Sequence, residues 1–150
     1  MDTSKNLKSI NILLVEDNPG DVRLTQEVLK EGKISNKLNV VMDGEEAIFF
    51  LKKEGKYKDA PSPDIILLDL NLPKKDGREV LAEIKSDPQL MLIPVIVLTT
   101  SFAEKDILST YAHHGNAYIT KPVDFNQFMN VIKTIQDFWL SIVKLPGKVV

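Results

Sequence analysis

Short apolar runs alternate with amphipathic helical patterns five times along this chain of 150 residues. The apolar runs cover residues 10–15, 38–42, 65–68, 94–98 and 117–120. The third run is too short for a helix and too uniformly apolar for a strand with one wet face, so it predicts a strand buried on both faces of a parallel sheet. Strands that alternate with helices at this spacing predict an α/β fold with right-handed crossovers.

Capping signals mark the predicted beginnings of four helices. They are Asn18 followed by Pro19, Asp43 with Glu46, Ser101 with Glu104, and Asp124 with Gln127. The third helix, marked by Val80, Leu81 and Ile84 after a loop at 72–77, is expected to stop before Pro88. Apolar side chains at Ile107, Leu108 and Tyr111 indicate that the fourth helix continues toward Gly115. The polar segment 52–63 is long enough to extend the second helix and then form a loop.

Composition excludes several classes of protein. The chain has no cysteine, so disulfides, thiol nucleophiles and cysteine-based metal sites are not available. A net charge of −2 without a basic block argues against nucleic acid as a direct partner. No apolar run approaches the ~20 residues that cross a bilayer, and the polar start does not resemble a signal peptide. We therefore expect a cytoplasmic protein that has no membrane partner.

Polar residues follow four of the predicted strands, where parallel strands present their carboxyl ends to a common crevice. The first strand is followed by Glu16 and Asp17, and the third, fourth and fifth by Asp69, Thr99 and Lys121. Three carboxylates that converge there would repel one another unless a cation joined them, and oxygen ligands favour a hard ion such as Mg²⁺. A hydroxyl and an ammonium beside the metal suit a phosphoryl group. Asp69 is then a candidate nucleophile toward phosphorus.

These residues stand in recognisable motifs, which are Leu-Val-Glu-Asp-Asn at 14–18, Ile-Leu-Leu-Asp-Leu-Asn-Leu-Pro-x-x-Asp-Gly at 66–77, Pro-Val-Ile-Val-Leu-Thr at 94–99 and Tyr-Ile-Thr-Lys-Pro at 118–122. In order and spacing they resemble the receiver domain of two-component response regulators, over roughly residues 9–140. The resemblance implies a flavodoxin-like, doubly wound (βα)5 fold. Its five-stranded parallel sheet would have the order 2-1-3-4-5, and its C-terminal helix would be extended.

The resemblance also implies a metal site and a phosphoacceptor. Asp69 resembles the phosphoacceptor, and Asp17 and Asp69 resemble the Mg²⁺ ligands, joined by the backbone carbonyl of Asn71. Glu16 stands where the family often has Asp, and its longer side chain favours a contact to the metal through water. Asn71 and Ser101 occupy positions that tune acyl phosphate hydrolysis in that family.

A switch is implied by the same motifs. Thr99 resembles the hydroxyl that follows the phosphoryl group, Lys121 its ionic partner, and Tyr118 the aromatic residue that reports the switch. Phosphorylation is expected to pull Thr99 and Tyr118 inward and to reshape the face made by the fourth helix, fifth strand and last helix. Pro122 suggests a cis Lys-Pro bond that would aim the Lys121 ammonium inward.

Each of these residues also has an ordinary structural interpretation. Thr99 can begin a helix, Tyr118 can pack on the sheet, Lys121 can be a surface charge, and the Glu16–Asp17 pair can favour a helix N-terminus. Their occurrence in register favours the functional interpretation. His113 and His114 invite a metal or relay role, but they precede Gly115 at a helix end without a third ligand at suitable spacing.

The C-terminal part departs from a minimal receiver domain. We expect a flexible N-terminus at 1–8, the receiver domain at 9–141 and a tail at 142–150. Residues 138–145 contain more apolar side chains than one helix face buries, namely Phe138, Trp139, Leu140, Ile142, Val143 and Leu145. With the long 52–63 connection, this tail is similar to that of stand-alone response regulators paired with bacterial phytochromes. A homodimer through the fourth helix, fifth strand, last helix and tail is therefore expected.

The predicted function is that of a single-domain response regulator, not an enzyme. It would take a phosphoryl group from a sensor histidine kinase, for which the resemblance suggests a phytochrome-like type, or from a phosphotransfer protein. It would signal through protein contacts or phosphorelay. One rival is an aspartyl-phosphate hydrolase of the haloacid-dehalogenase kind, whose Asp-x-Asp signature Asp69-Leu70-Asn71 only half fits. The other is a degenerate receiver that binds partners without being phosphorylated, against which the intact set of site residues counts.

Overall fold

The computed structural model describes residues 9–148, and within them five strands alternate with five α-helices. The strands are β1 (Ile10–Val15), β2 (Asn36–Val41), β3 (Ile65–Leu68), β4 (Val95–Thr99) and β5 (Ala117–Thr120). The helices are α1 (Pro19–Glu31), α2 (Gly44–Leu51), α3 (Gly77–Ser86), α4 (Glu104–Ala112) and α5 (Phe125–Trp139). The segment 1–8, predicted to be flexible, lies outside the described residues.

The five strands form one parallel sheet in the order β2-β1-β3-β4-β5, which confirms the predicted fold. Alternate residues of each strand point to opposite faces. Leu13, Ile66 and Val97 therefore enter the layer beneath α2 and α3. Leu14 and Leu67 enter the layer beneath α1 and α5. The inner strands are buried on both faces, as their continuous apolar runs indicate.

Three element boundaries differ from the prediction. The strand predicted at 38–42 begins at Asn36, because Asn36 pairs with Ile10 of β1. The strand predicted at 94–98 lies at Val95–Thr99, since Pro94 has no N–H to donate while Thr99 pairs with Thr120. Helix α2 ends at Leu51 and is not extended into the 52–63 connection.

The cap predicted for helix α4 is wrong, and the apolar positions that marked the helix are not its buried ones. Its N-cap is Ala103 and lacks a side-chain hydrogen bond, so Ser101 and Glu104 form no capping box. Leu108 is 63% exposed and Tyr111 is 52% exposed. The buried residues of α4 are the polar Asp106 and Thr110. The helix turns this face inward because Asp106 is paired with an arginine of α3.

The apolar C-terminal residues divide between core and surface. Leu145 is 3% exposed and belongs to the same core layer as α5, as does Leu140. Phe138 and Ile142 remain exposed. The tail thus covers part of its own sheet and leaves only part of its apolar surface to solvent. Between residues 9 and 148, the structure has no helix of the length and apolarity that a membrane crossing requires.

Candidate functional site: the carboxyl edge of the sheet

The carboxyl edge of the sheet brings together every residue that the motifs singled out as polar strand ends. Glu16 and Asp17 follow β1, Asp69 follows β3, Thr99 ends β4, and Lys121 follows β5. Direct hydrogen bonds connect Asp69 to both Thr99 and Lys121. Residues separated by as many as 105 positions in sequence are thus neighbours, as the parallel topology requires.

Asp69 lies at the centre of this cluster and is 6% exposed. Its Oδ1 accepts hydrogen bonds from the Thr99 hydroxyl at 2.7 Å and from the Asn71 backbone N–H at 3.1 Å. Its Oδ2 accepts one from Lys121 Nζ at 3.1 Å. A hydroxyl and an ammonium therefore approach this carboxylate on different oxygens, in a setting where charge-assisted hydrogen bonds are strong.

Lys121 is buried and donates to three carboxylates. Its Nζ lies 2.5 Å from Glu16 Oε1, 2.8 Å from Asp21 Oδ2 and 3.1 Å from Asp69 Oδ2. Burial by itself would lower the pKa of Lys121, but the hydrogen bonds to Asp21 and Glu16 outweigh burial and hold that pKa above its usual value. The side chain is therefore a fixed positive charge.

The predicted cis bond between Lys121 and Pro122 is wrong, because the described residues contain no cis peptide. The backbone N–H of Lys121 donates to the Thr99 carbonyl at 2.6 Å, which continues the β4–β5 pairing by one residue. This pairing with a trans bond already directs the ammonium toward the carboxylates.

Glu16 is buried and has partners on both oxygens. Oε1 accepts from Lys121, and Oε2 accepts from the backbone N–H of Asn18 at 3.1 Å. Burial raises the pKa of Glu16 to about 7, with the neighbouring charge of Asp69 acting in the same direction and the hydrogen bond from Lys121 opposing it.

The three acidic residues predicted around a metal do form a cluster that can hold a divalent ion. One carboxylate oxygen from each of Glu16, Asp17 and Asp69 lies within 4.8 Å of the others. All donors are oxygens, which suits Mg²⁺ or Mn²⁺. Asp17 is exposed whereas Asp69 and Glu16 are buried, so the site is open toward solvent on one side. The donor chemistry fits the predicted cation.

Gly77 fixes the loop that follows Asp69. Its N–H donates to the carbonyl of Leu70 at 2.9 Å. A Cβ at Gly77 would lie 2.2 Å from the Asp69 carbonyl oxygen, so no other residue fits without moving the backbone that carries Asp69. Asp76 accepts from the N–H of Arg78 and caps α3. The Asp-Gly pair of the motif thus holds the Asp69 loop against the start of α3.

Tyr118 connects β5 to the segment between β4 and α4. Its hydroxyl donates to the carbonyl of Ser101 at 2.8 Å, and its side chain is partly buried against the core. The backbone N–H of Tyr118 also has a partner, the Tyr111 hydroxyl of α4, at 3.2 Å. Tyr118 therefore contacts the loop after β4 at Ser101, two residues beyond Thr99, whose hydroxyl reaches Asp69.

Sequence reasoning missed Asp21, Arg78 and Asp106. Asp21 bonds Lys121, but an acid in the first turn of a helix is ordinary and gave no signal of its own. Arg78 and Asp106 form an ion pair between α3 and α4 that no local motif marks. His113 and His114 are exposed at the end of α4, where His113 Nδ1 lies 2.8 Å from the Ser109 carbonyl.

Comparison with known proteins places the chain in a family. A family model described as the response regulator receiver domain matches residues 12–133. The response regulator Rcp1 of Synechocystis sp. is 52% identical over 136 residues, which cover 91% of this chain and 92% of that protein.

Two solved structures are similar over nearly their full length. The Mn²⁺-bound form of response regulator Rcp1 has a TM-score of 0.90 and 51% identity, covering 91% of this chain and 99% of that one. The phosphorylated cyanobacterial phytochrome response regulator RcpA has a TM-score of 0.90 and 53% identity, covering 93% and 99%. With the strand-tip site described above, these matches show that the chain belongs to the response regulator receiver family.

Proposed function

We propose that Asp69 is the residue that accepts the phosphoryl group and that it does so from a phosphohistidine of a partner kinase or phosphotransfer protein. The observation that carries this proposal is the position of Asp69 between the Thr99 hydroxyl and the Lys121 ammonium, beside a cluster of carboxylates that can share a cation. One Asp69 oxygen would attack phosphorus, the P–N bond would break, and the imidazole would leave.

The residues around Asp69 supply the charge balance for this transfer. Asp17, Asp69 and the Asn71 carbonyl would hold a Mg²⁺ ion, on which Glu16 would act through water, and the ion would supply positive charge to balance the phosphoryl oxygens. Lys121 holds one carboxylate oxygen of Asp69 and offers a positive charge to the phosphoryl group. The only chemistry proposed for the chain is its own phosphorylation and dephosphorylation.

Thr99 and Tyr118 form the proposed switch. Before phosphorylation their side chains already make hydrogen bonds, whereas phosphorylation was expected to pull both of them inward. The Thr99 hydroxyl is already bonded to Asp69, and the Tyr118 hydroxyl is already bonded to Ser101. Phosphorylation would therefore exchange the acceptor of the Thr99 hydroxyl from a carboxylate oxygen to a phosphoryl oxygen. The free energy by which phosphorylation shifts the conformation of the α4–β5–α5 face equals the difference in the free energy of these contacts between the two states.

The relatives suggest the kinase partner. RcpA is described as a phytochrome response regulator, so a phytochrome-like histidine kinase is the donor we propose for this chain. Such kinases make phosphohistidine from ATP, which supports the proposal that the encounter takes place in the cytoplasm. Output would pass through protein contacts or onward phosphate transfer.

A homodimer through α4, β5, α5 and the C-terminal tail is the proposed assembly. The exposed apolar side chains of this face are Leu108, Tyr111, Phe125, Phe138 and Ile142. Trp139 and Phe138 also line an apolar groove of about 290 Å³ with Ile119 of β5. Sedimentation velocity should show a dimer that Trp139→Glu, at a half-buried position, and Phe138→Glu, at a position 48% exposed, both weaken. Phe49→Glu, at a position 41% exposed on the other face of the sheet, is the matched control for Phe138→Glu and should leave the dimer intact. Monomer alone, with and without a phosphoryl analogue, would refute the assembly.

Phosphorylation is tested by intact-protein mass spectrometry after incubation with acetyl phosphate and Mg²⁺. The wild type should gain a single labile phosphate that a chelator prevents. Asp69→Asn should gain none, while Asp59→Asn, the same chemical change at an exposed position in the 52–63 connection, should be labelled like the wild type. Absence of label on the wild type, beside a labelled control receiver, would point to a degenerate receiver. Steady turnover of small phosphate esters would point to the hydrolase.

A further inference from the structure

Asp106 of α4 is a buried carboxylate outside the cluster at the strand tips and is 5% exposed. Its Oδ1 accepts from Arg78 Nε at 2.8 Å, and its Oδ2 accepts from Arg78 Nη2 at 2.7 Å and from the Ser101 hydroxyl at 2.6 Å. The two-pronged arginine contact fixes the plane of the carboxylate. The hydrogen bonds from Arg78 and Ser101 hold the pKa of Asp106 well below its usual range.

Ser101 is held by all three of its polar groups. Its hydroxyl donates to Asp106, and its carbonyl accepts from the Tyr118 hydroxyl. Its backbone N–H points at the Thr99 hydroxyl oxygen at 3.5 Å, at the long end of a hydrogen bond. Because that oxygen receives the N–H on one side, the Thr99 hydroxyl proton is directed to the other side, where it reaches Asp69.

Arg78 is anchored at the opposite end to the loop that carries Asp69. Its Nη1 lies 3.1 Å from both carboxylate oxygens of Asp76 and 3.5 Å from the carbonyl of Leu70, the residue after Asp69. The contacts therefore form a closed ring that runs from the Asp69 loop through Arg78, Asp106 and Ser101 to Thr99, and back to Asp69.

We propose that Arg78 and Asp106 are positioning residues for phosphoryl transfer, because through Ser101 they hold the Thr99 hydroxyl on the Asp69 side of the crevice. This inference rests on the proposed function of Asp69. A donor that is already in place needs no reorganisation when charge develops on the phosphoryl oxygens. Helix α4 has no side-chain cap and buries only polar residues, so few other contacts fix the segment between Thr99 and the helix.

The test compares rates of phosphorylation by acetyl phosphate in Asp106→Asn, Arg78→Lys and Ser101→Ala with the wild type. We expect the maximal rate to fall about three- to tenfold, the size usual for coupling between residues in one hydrogen-bond network. The acetyl phosphate concentration that gives half the maximal rate should not change, because none of the three residues is placed on the donor. Glu83→Gln is the matched control, since it weakens another ion pair of α3, with Lys75, that includes no residue of the ring.

A second background separates positioning from general support of the fold. In Thr99→Ala, adding Asp106→Asn should produce no further loss of rate, because the hydroxyl on which it acts is gone. An equal loss in both backgrounds, or equal rates for Asp106→Asn and Glu83→Gln, would overturn the inference while the proposed function stands. No label on the wild type would overturn both. Should Asp106→Asn not fold, Arg78→Lys and Ser101→Ala, at partly exposed positions, decide the matter in the same two backgrounds.

Discussion

Lys121 makes opposite contributions to stability and to metal binding, and Lys121→Met separates them. Methionine keeps the length of the side chain and removes the charge. Without a metal, the variant leaves Glu16, Asp21 and Asp69 without their shared ammonium. Loss of one partner of a buried ion pair destabilises by about 3–5 kcal/mol. We expect the unfolding free energy of the metal-free protein to fall by about 3 kcal/mol, because Asp21 is partly exposed and recovers water.

The same substitution should strengthen Mg²⁺ binding. A single and a double positive charge about 5 Å apart repel by about 7 kcal/mol at an effective dielectric constant of about 20. Solvent at the open Asp17 side and relaxation of the carboxylates reduce this repulsion energy. Even if only a fifth of the repulsion remains in the wild type, its loss in the variant corresponds to about tenfold tighter Mg²⁺ binding. Isothermal titration with Mg²⁺ should therefore give an affinity for Lys121→Met at least about tenfold above that of the wild type.

Lys85→Met is the matched control for this measurement. The Lys85 ammonium donates to the carbonyls of Met91 and Ile93 and to the Asn116 side chain, at the opposite end of the strands. Its loss should destabilise the fold and leave Mg²⁺ affinity unchanged. Equal or weaker Mg²⁺ binding by Lys121→Met would show that the ammonium does not oppose the cation, and the charge balance described for the site would be wrong.

Three further predictions concern packing and pH. A Cβ at Gly32 would lie 1.4 Å from Gln136 Nε2, so Gly32→Ala should lower the unfolding free energy measured in urea by about 1–3 kcal/mol. This loss should be smaller in the Gln136→Ala background, and strictly additive losses from the two substitutions would contradict the contact. Leu145→Ala should lower the unfolding free energy by about 2–4 kcal/mol, since Leu145 is a core residue, whereas Ile142→Ala, at a position 67% exposed, should change the stability of the monomer little. Equal losses of stability for the two variants would show that Leu145 does not pack in the core. Asp106 has a lowered pKa in the folded state, so its stabilising effect is present above the unfolded carboxyl pKa of about 4 and is lost as pH falls toward the folded value. The stability advantage of wild type over Asp106→Asn should therefore be full at neutral pH and shrink below about pH 4; a constant advantage would refute the ion pair as its source.

Local sequence signals were enough to predict the strands and the residues at the carboxyl edge of the sheet, whereas the strand order was predicted from the family resemblance. The strands at 10–15, 65–68 and 117–120 lie where their apolar runs indicated, and Asn18, Asp43 and Asp124 cap the helices that they were expected to cap. These features depend on residues close in sequence. The convergence of Asp69 and Lys121 also follows from topology alone, because parallel strands end at one edge.

Features that depend on distant side chains were not predictable in the same way. Helix α4 has apolar residues at helical spacing, but the ion pair between Asp106 and Arg78 turns the polar side inward. Asp21 reaches Lys121 only because the start of α1 and the residue that follows β5 lie at the same edge of the sheet. Leu145 was expected to contribute to an interface, but it packs in the chain's own core, in the layer shared by α5 and the sheet. In each case the decisive partner lies far away in sequence and no motif names it.

Chemical trapping of the phosphorylated residue tests the central claim most directly. The wild type is labelled with acetyl phosphate and Mg²⁺, reduced with borohydride, digested and sequenced by mass spectrometry. An acyl phosphate on Asp69 is reduced to homoserine, so the account predicts homoserine at position 69 and unmodified Asp17. Phosphate on His113 or His114, or homoserine at any other aspartate, would contradict it.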